Sequence, residues 1–157
     1  MKTNRTLLLI LPAVLLLTSC HNDGIVYDHS ADVSTEQWTP ADTCGFDIRV
    51  CETAIPGSLV TSRTDYTLDL SVRYVRTYPC NSLPLHLMVD GQREYVVTLP
   101  LADSLGLPDG DCWAESYTKQ FVIRDLTIQF PDTGLWKFNV WPDTTCVGIR
   151  SLTVTLR

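Results

Sequence analysis

Tyr66-Thr67-Leu68-Asp69-Leu70-Ser71-Val72-Arg73-Tyr74 places an apolar residue at every even position and a polar one at every odd position. Successive side chains of a β-strand point to opposite faces, so nine residues in strict alternation make a strand with one buried face. The same reading extends in both directions. Phe46, Ile48 and Val50 alternate with Asp47 and Arg49. Leu83, Leu85, Leu87 and Val89 alternate with Pro84, His86 and Met88, and Tyr95, Val97, Leu99 and Leu101 continue the theme. Leu126, Ile128 and Phe130 follow, then Trp136, Phe138 and Val140, then Leu152, Val154 and Leu156.

Turn chemistry separates these runs. Asp90-Gly91 suits a tight hairpin, and Pro108-Asp109-Gly110-Asp111 and Pro131-Asp132-Thr133-Gly134 offer glycines for positive φ. No stretch after residue 20 has helical spacing with caps, although 102–107 has the length of one helical turn. Seven to nine antiparallel strands with polar outer faces result. One antiparallel sheet would leave its apolar face wet, so two sheets must pack together. The expected fold is an all-β, two-sheet antiparallel β-sandwich. Periodicity leaves jelly-roll and Ig-like topologies both open.

The chain has 157 residues, 45% hydrophobic and 19% charged, which is one domain with a real core. Lys2 and Arg5 are the only charges among the first nineteen residues, so the remainder sets ten bases against eighteen acids. A chain that acidic, with no basic run, is not built to bind nucleic acid.

Residues 7–17 form an apolar run behind the basic start, too short for a bilayer span of about 20 residues and right for the core of a secretory signal. Leu17-Thr18-Ser19-Cys20 follows and looks like a bacterial lipobox. That resemblance implies cleavage before Cys20 and acylation of Cys20, whose combined chains anchor stably at about 0.8 kcal/mol per buried CH₂. The expected organisation is a signal peptide at 1–19, a lipidated cysteine and polar tether at 20–40, and the sandwich at 41–157. The tether leads into a first short strand at Ile25-Val26-Tyr27. No Asp follows Cys20, so by analogy with enteric bacteria the outer membrane is the expected location.

Chemistry is sparse. His21 and His29 fall in the tether and His86 on the polar face of a strand, and no pair has metal-ligand spacing. No nucleophile elbow of G-x-S-x-G form exists. Asp109-Gly110-Asp111 reads as a surface turn, because Cys112-Trp113 follows where a calcium loop needs further oxygen ligands. No catalytic residue, metal site or cofactor is expected. Of four Trp, Trp136 shares the inward parity of Phe138. Trp38, Trp113 and Trp141 are candidate binding aromatics, able to stack on sugar rings or anchor a partner, or else caps on the open ends of the core.

Five cysteines follow Cys20. Cys44 and Cys51 bracket one strand, and seven steps at about 3.3 Å exceed the roughly 7 Å limit for a bridge. Counting alternate strand directions puts Cys44, Cys80, Cys112 and Cys146 at one end and Cys51 at the other. Any disulfide should draw on the first four, with Cys51 free.

Residues 64–74, leading into Thr77-Tyr78-Pro79-Cys80-Asn81-Ser82-Leu83, resemble the gliding motility-associated lipoprotein family GldH of Bacteroidetes. In that family a strand ending in Val-Arg precedes a Tyr-Pro segment. Leu99-Pro100-Leu101-Ala102-Asp103, Thr133-Gly134-Leu135-Trp136-Lys137-Phe138 and Gly148-Ile149-Arg150-Ser151-Leu152 resemble later family segments. The family's Trp-x-Gly-x-Gly stretch is replaced by Leu107-Pro108-Asp109-Gly110-Asp111, and its Met-Arg segment by 141–146. The resemblance implies a non-enzymatic outer-membrane lipoprotein that supports gliding or surface-protein delivery through contacts with other envelope proteins. The alternative is a carbohydrate-binding surface lipoprotein that uses exposed Trp.

Overall fold

The strictly alternating stretch is the centre of a sheet. In a computed structural model, which describes residues 24–33 and 36–157, it lies in an eleven-residue strand, Asp65–Val75. The signal peptide and Cys20 lie outside the described residues. In chain order the strands are β1 (Tyr27–Asp32), β2 (Cys44–Val50), β3 (Asp65–Val75), β4 (Ser82–Val89), β5 (Glu94–Pro100), β6 (Asp111–Trp113), β7 (Ser116–Gln129), β8 (Gly134–Pro142) and β9 (Ile149–Leu156).

Two antiparallel sheets form, ordered β1-β9-β3-β7-β6 and β2-β8-β4-β5. The all-β sandwich is therefore the fold. Its topology is also decided. The chain crosses between sheets at β1–β2, β2–β3, β3–β4, β5–β6, β7–β8 and β8–β9, and the late strands β8 and β9 insert beside β2 and β1. That wrapping is a jelly roll; an Ig-like order would keep early strands as neighbours within one sheet.

Apolar parity fills the space between the sheets. Leu68, Leu70 and Val72 of β3 face Leu83, Leu85 and Leu87 of β4 across one buried cluster with Phe46, Ile48, Phe138, Val140, Leu152 and Val154. Each fully buried side chain of this size contributes roughly 1.5–3 kcal/mol of transfer free energy. Because β3 is central, even its outer face is covered: Asp69 is buried, accepting from the Arg157 guanidinium at 2.8 Å and the Gln120 amide at 3.4 Å.

Three expectations change. The strand marked by Leu126 and Ile128 begins ten residues earlier, at Ser116, as β7. Its register against β3 jumps from Leu68↔Ile123 to Thr67↔Thr127, leaving 124–126 as a bulge. The parity switch from Phe121 and Ile123 to Leu126 and Ile128 is that bulge seen in sequence. The sandwich also begins before residue 41. Tyr27–Asp32, inside the expected tether, pairs with β9 over six residues, and the Tyr27 hydroxyl donates to the Asp47 carbonyl of the other sheet. A strand needs only backbone partners and one half-buried face, so β1 forms without an apolar run. The expected helical turn at 102–107 is instead a hydrogen-bonded loop, described next.

Candidate functional site

The strand registers gather five connections at one end of the sandwich: 33–43, 76–81, 101–110, the 114–115 turn and 143–148. The loop at 101–110 is tied from many sides. Asp103 Oδ1 accepts from the amides of Leu105 and Leu107 at 2.8 and 2.9 Å, and the Asp103 amide donates to the Leu107 carbonyl at 2.8 Å. The Leu101 and Ala102 amides donate to the Asn81 carbonyl. Beneath them, the Tyr74 hydroxyl lies 2.6 Å from the carbonyls of both Leu101 and Asp109 and accepts from the Asp109 amide at 3.0 Å. Burial pushes the Tyr74 hydroxyl above its ordinary value, so it stays a donor. Lys119 closes the base, donating to the Pro100 carbonyl and to Asp109, both at 2.7 Å, and so holds the Asp109 carboxyl below its usual range.

This bound loop holds two leucines out in water. Leu105 is 81% exposed and Leu107 57%. Val147, in the neighbouring 143–148 connection, is also exposed. A floppy loop could fold such side chains away; this one is hydrogen-bonded into presenting them.

The candidate aromatics separate. Trp38 is 1% exposed, so it is a core residue and not a binding surface. It forms an isolated bridge to Cys146, and its indole N–H donates to the Asp42 carbonyl at 2.6 Å. It seals the end of the sandwich, the second of the two roles open to it in the sequence. Trp141 lies on the outer face of the four-stranded sheet, half-buried, with its ring stacked on His86 at 5.4 Å and 11°. Trp113 is 78% exposed at the tip of the β6–β7 hairpin. Trp136 packs against the core beside Phe130, with its indole N–H on the Asp132 carbonyl.

His86 is more than a solvated surface residue. Its Nδ1 contacts Glu94 and its Nε2 lies 3.0 Å from Asp143 Oδ1. The hydrogen bonds from Asp143 and then Glu94 raise its pKa above the ordinary 6.5. Register brings the trio together: β4 and β5 set Met88 opposite Glu94, and β8 delivers Trp141 opposite His86 with Asp143 just beyond.

Cys44, Cys80, Cys112 and Cys146 lie at the same end as the 101–110 loop, and Cys51 at the other, beside Thr61. All five are thiols here. Burial raises the Cys44 and Cys146 thiols above the ordinary range.

Signals for the leucine loop and for a basic cleft beside Trp113 were weak in sequence. Leu105 and Leu107 read as a short apolar stretch, and the arginines of the cleft are spread over 78 residues.

Together these features define a small jelly-roll domain whose one end presents fixed apolar side chains. Comparison with known proteins supplies the particular family. The model of the GldH lipoprotein family matches residues 25–145, and the chain belongs to that family; it is a GldH-like lipoprotein. Among solved structures, CBM35 from Cellvibrio japonicus Abf62 is similar at 17% identity, over 83% of this chain and 96% of that one, with a TM-score of 0.38. No match is found among the curated proteins.

Proposed function

We propose that the protein is a non-enzymatic accessory of the outer membrane, anchored through Cys20, that supports gliding-type motility or surface-protein delivery by binding other envelope proteins. The observation that carries this reading is the 101–110 loop. Holding Leu105 and Leu107 in water is unfavourable for the isolated domain, at roughly 25 cal/mol per Å² of apolar surface left wet. A partner that covers them recovers that free energy, and a pre-ordered loop loses little entropy on docking. Family membership supports the lipoprotein part, and the lipobox supports the anchor. The carbohydrate alternative keeps Trp113 of its three tryptophans as a freely exposed ring.

The test is crosslinking in cells of the full-length protein carrying a photo-reactive residue at position 105 or 107. Adducts with one envelope protein are expected. They should fall at least tenfold with Asp103→Ala, which frees the loop while leaving the strands intact. No adduct from either position, with normal labelling from Val147, would overturn the assignment of this loop.

A further inference from the structure

A cleft of about 890 Å³ opens on the outer face of the five-stranded sheet, at the same end of the molecule. Three of the ten basic residues outside the signal segment line it: Arg73, Arg76 and Arg150. Asp32 and Glu115 line it too, yet no ion pair within 4 Å joins any of these arginines to a carboxylate among the described residues. We propose that this cleft binds an acidic sugar, its guanidinium groups taking the carboxylate and Trp113 the face of the ring.

The walls of the cleft are built rather than incidental. The Val75 amide donates to the Gly148 carbonyl at 2.8 Å, the Arg76 amide to the Glu115 carbonyl at 3.0 Å, and the Val33 amide to the Arg150 carbonyl at 2.9 Å. These bonds strap the ends of β1 and β3, the β6–β7 turn and the start of β9 into one frame. Gly148, at φ +94, permits the closest approach: a Cβ there would meet the Val75 side chain at 2.6 Å. Ala114 takes a left-handed φ of 55° to turn the hairpin. The Arg73 guanidinium is aimed by Ser116, whose hydroxyl accepts from Arg73 Nε at 3.0 Å and donates to the Trp113 carbonyl at 3.1 Å.

Three guanidiniums with no ion pair to a carboxylate among the described residues, in a domain this acidic, favour an anion, and their planar donor forks match a carboxylate. Register decides between a sugar and an acidic peptide. Trp113 pairs with Ser116, and Val75 with the same Ser116, on the face that also carries Arg73. An exposed indole therefore lies on the cleft's face of the sheet. Asp32 and Glu115 would repel further carboxylates of a polyacidic peptide but can accept hydrogen bonds from sugar hydroxyls. The proposal goes beyond the partner-binding reading and does not rest on it, because Leu105 and Leu107 belong to a different loop.

The mature lipidated protein, solubilised in detergent, is to be titrated with polygalacturonate, neutral galactan and polyglutamate. Binding of polygalacturonate alone is expected, weakening with salt. Arg76→Gln and Arg150→Gln should each weaken it about tenfold, the loss of one charge-assisted contact. Trp113→Ala should weaken it roughly two- to tenfold. Arg124→Gln, on the far bulge of β7, should leave it unchanged. Melting temperatures within a few degrees of wild type show that the variants fold. Failure to bind polygalacturonate, equal binding of polyglutamate, or indifference to both arginine variants would overturn the proposal.

Discussion

His86 shows what one side chain does to the pH response of the whole fold. Asp143 and Glu94 hold its imidazolium, so its folded pKa exceeds the ordinary 6.5. A raised folded value means that the pairing stabilises the fold fully below about pH 6.5 and is lost as pH climbs through the higher folded value. Thermal melting of wild type and His86→Gln should therefore differ most between about pH 5 and 6.5 and converge at alkaline pH. A gap that stays constant from pH 5 to 9 would refute the assignment. The cysteines carry a second prediction. Tyr78 lies beside Cys146, and both feel the charge of Cys80. Cys80 is exposed, so a small disulfide in solution reaches its sulfur, and Cys146 is the thiol placed to resolve the mixed disulfide. After oxidation with glutathione disulfide, peptide mapping should find Cys80 joined to Cys146 and Cys51 in no intramolecular bridge. A Cys51 bridge would contradict the strand directions. Neither neighbourhood was legible residue by residue. His86 showed only its polar-face parity, because Asp143 is 57 positions away and arrives through a sheet crossing.

Elements were read more reliably than sites because alternation reports burial directly. Leu68 and Leu70 announce β3, and Asp90-Gly91 announces the β4–β5 hairpin, where Gly91 has φ +71 and the Gln92 amide donates back to the Val89 carbonyl. β1 was announced only at its start, by Ile25-Val26-Tyr27, because an edge strand with Ser30 and Asp32 in solvent carries no apolar period beyond it. For Trp38 the sequence left two readings, a binding aromatic or a cap on the core, and the cap is the one found. Its burial comes from the bridge to Cys146, a contact across 108 positions that no local pattern encodes. Glycines give the sharpest test at this scale. A Cβ on Gly110 would lie 2.5 Å from the Thr118 carbonyl oxygen, which is backbone and cannot swing away, whereas Gly91 has open space around it. Both have positive φ, so Gly91→Ala should cost about 1 kcal/mol from backbone strain alone. Gly110→Ala should cost at least about 3 kcal/mol, because the β6–β7 pairing must shift as well. Denaturant unfolding of the two variants measures the difference; equal losses would mean that the hairpin is not held at that contact.

At the scale of the molecule, the proposed anchor at Cys20 puts the membrane and the presenting end on opposite sides. β1 pairs antiparallel with β9, so it enters at Tyr27 beside Leu156 and runs toward Asp32 beside Ser151. Tyr27 is therefore at the end that carries 51–64, 90–93 and 130–133, and Asp32 is at the end of the leucine loop and the arginine cleft. Seven steps separate Cys20 from Tyr27, a reach of at most about 25 Å. A domain whose central strand β3 has eleven residues, about 36 Å, cannot turn its far end to the bilayer on so short a leash without lying on its side. Lying flat would press the acidic surface of the sandwich onto the membrane, which anionic lipid opposes. The leucine loop and the cleft should thus face away from the membrane that holds the lipid. Fluorophores placed on Ser104→Cys and on Thr53→Cys, both exposed positions, in a background lacking the native exposed cysteines, report the orientation in vesicles containing headgroup-quencher lipids. Thr53→Cys should be quenched several-fold more strongly than Ser104→Cys. Equal quenching, or the reverse order, would mean that the loop works against the bilayer surface rather than against a partner beyond it.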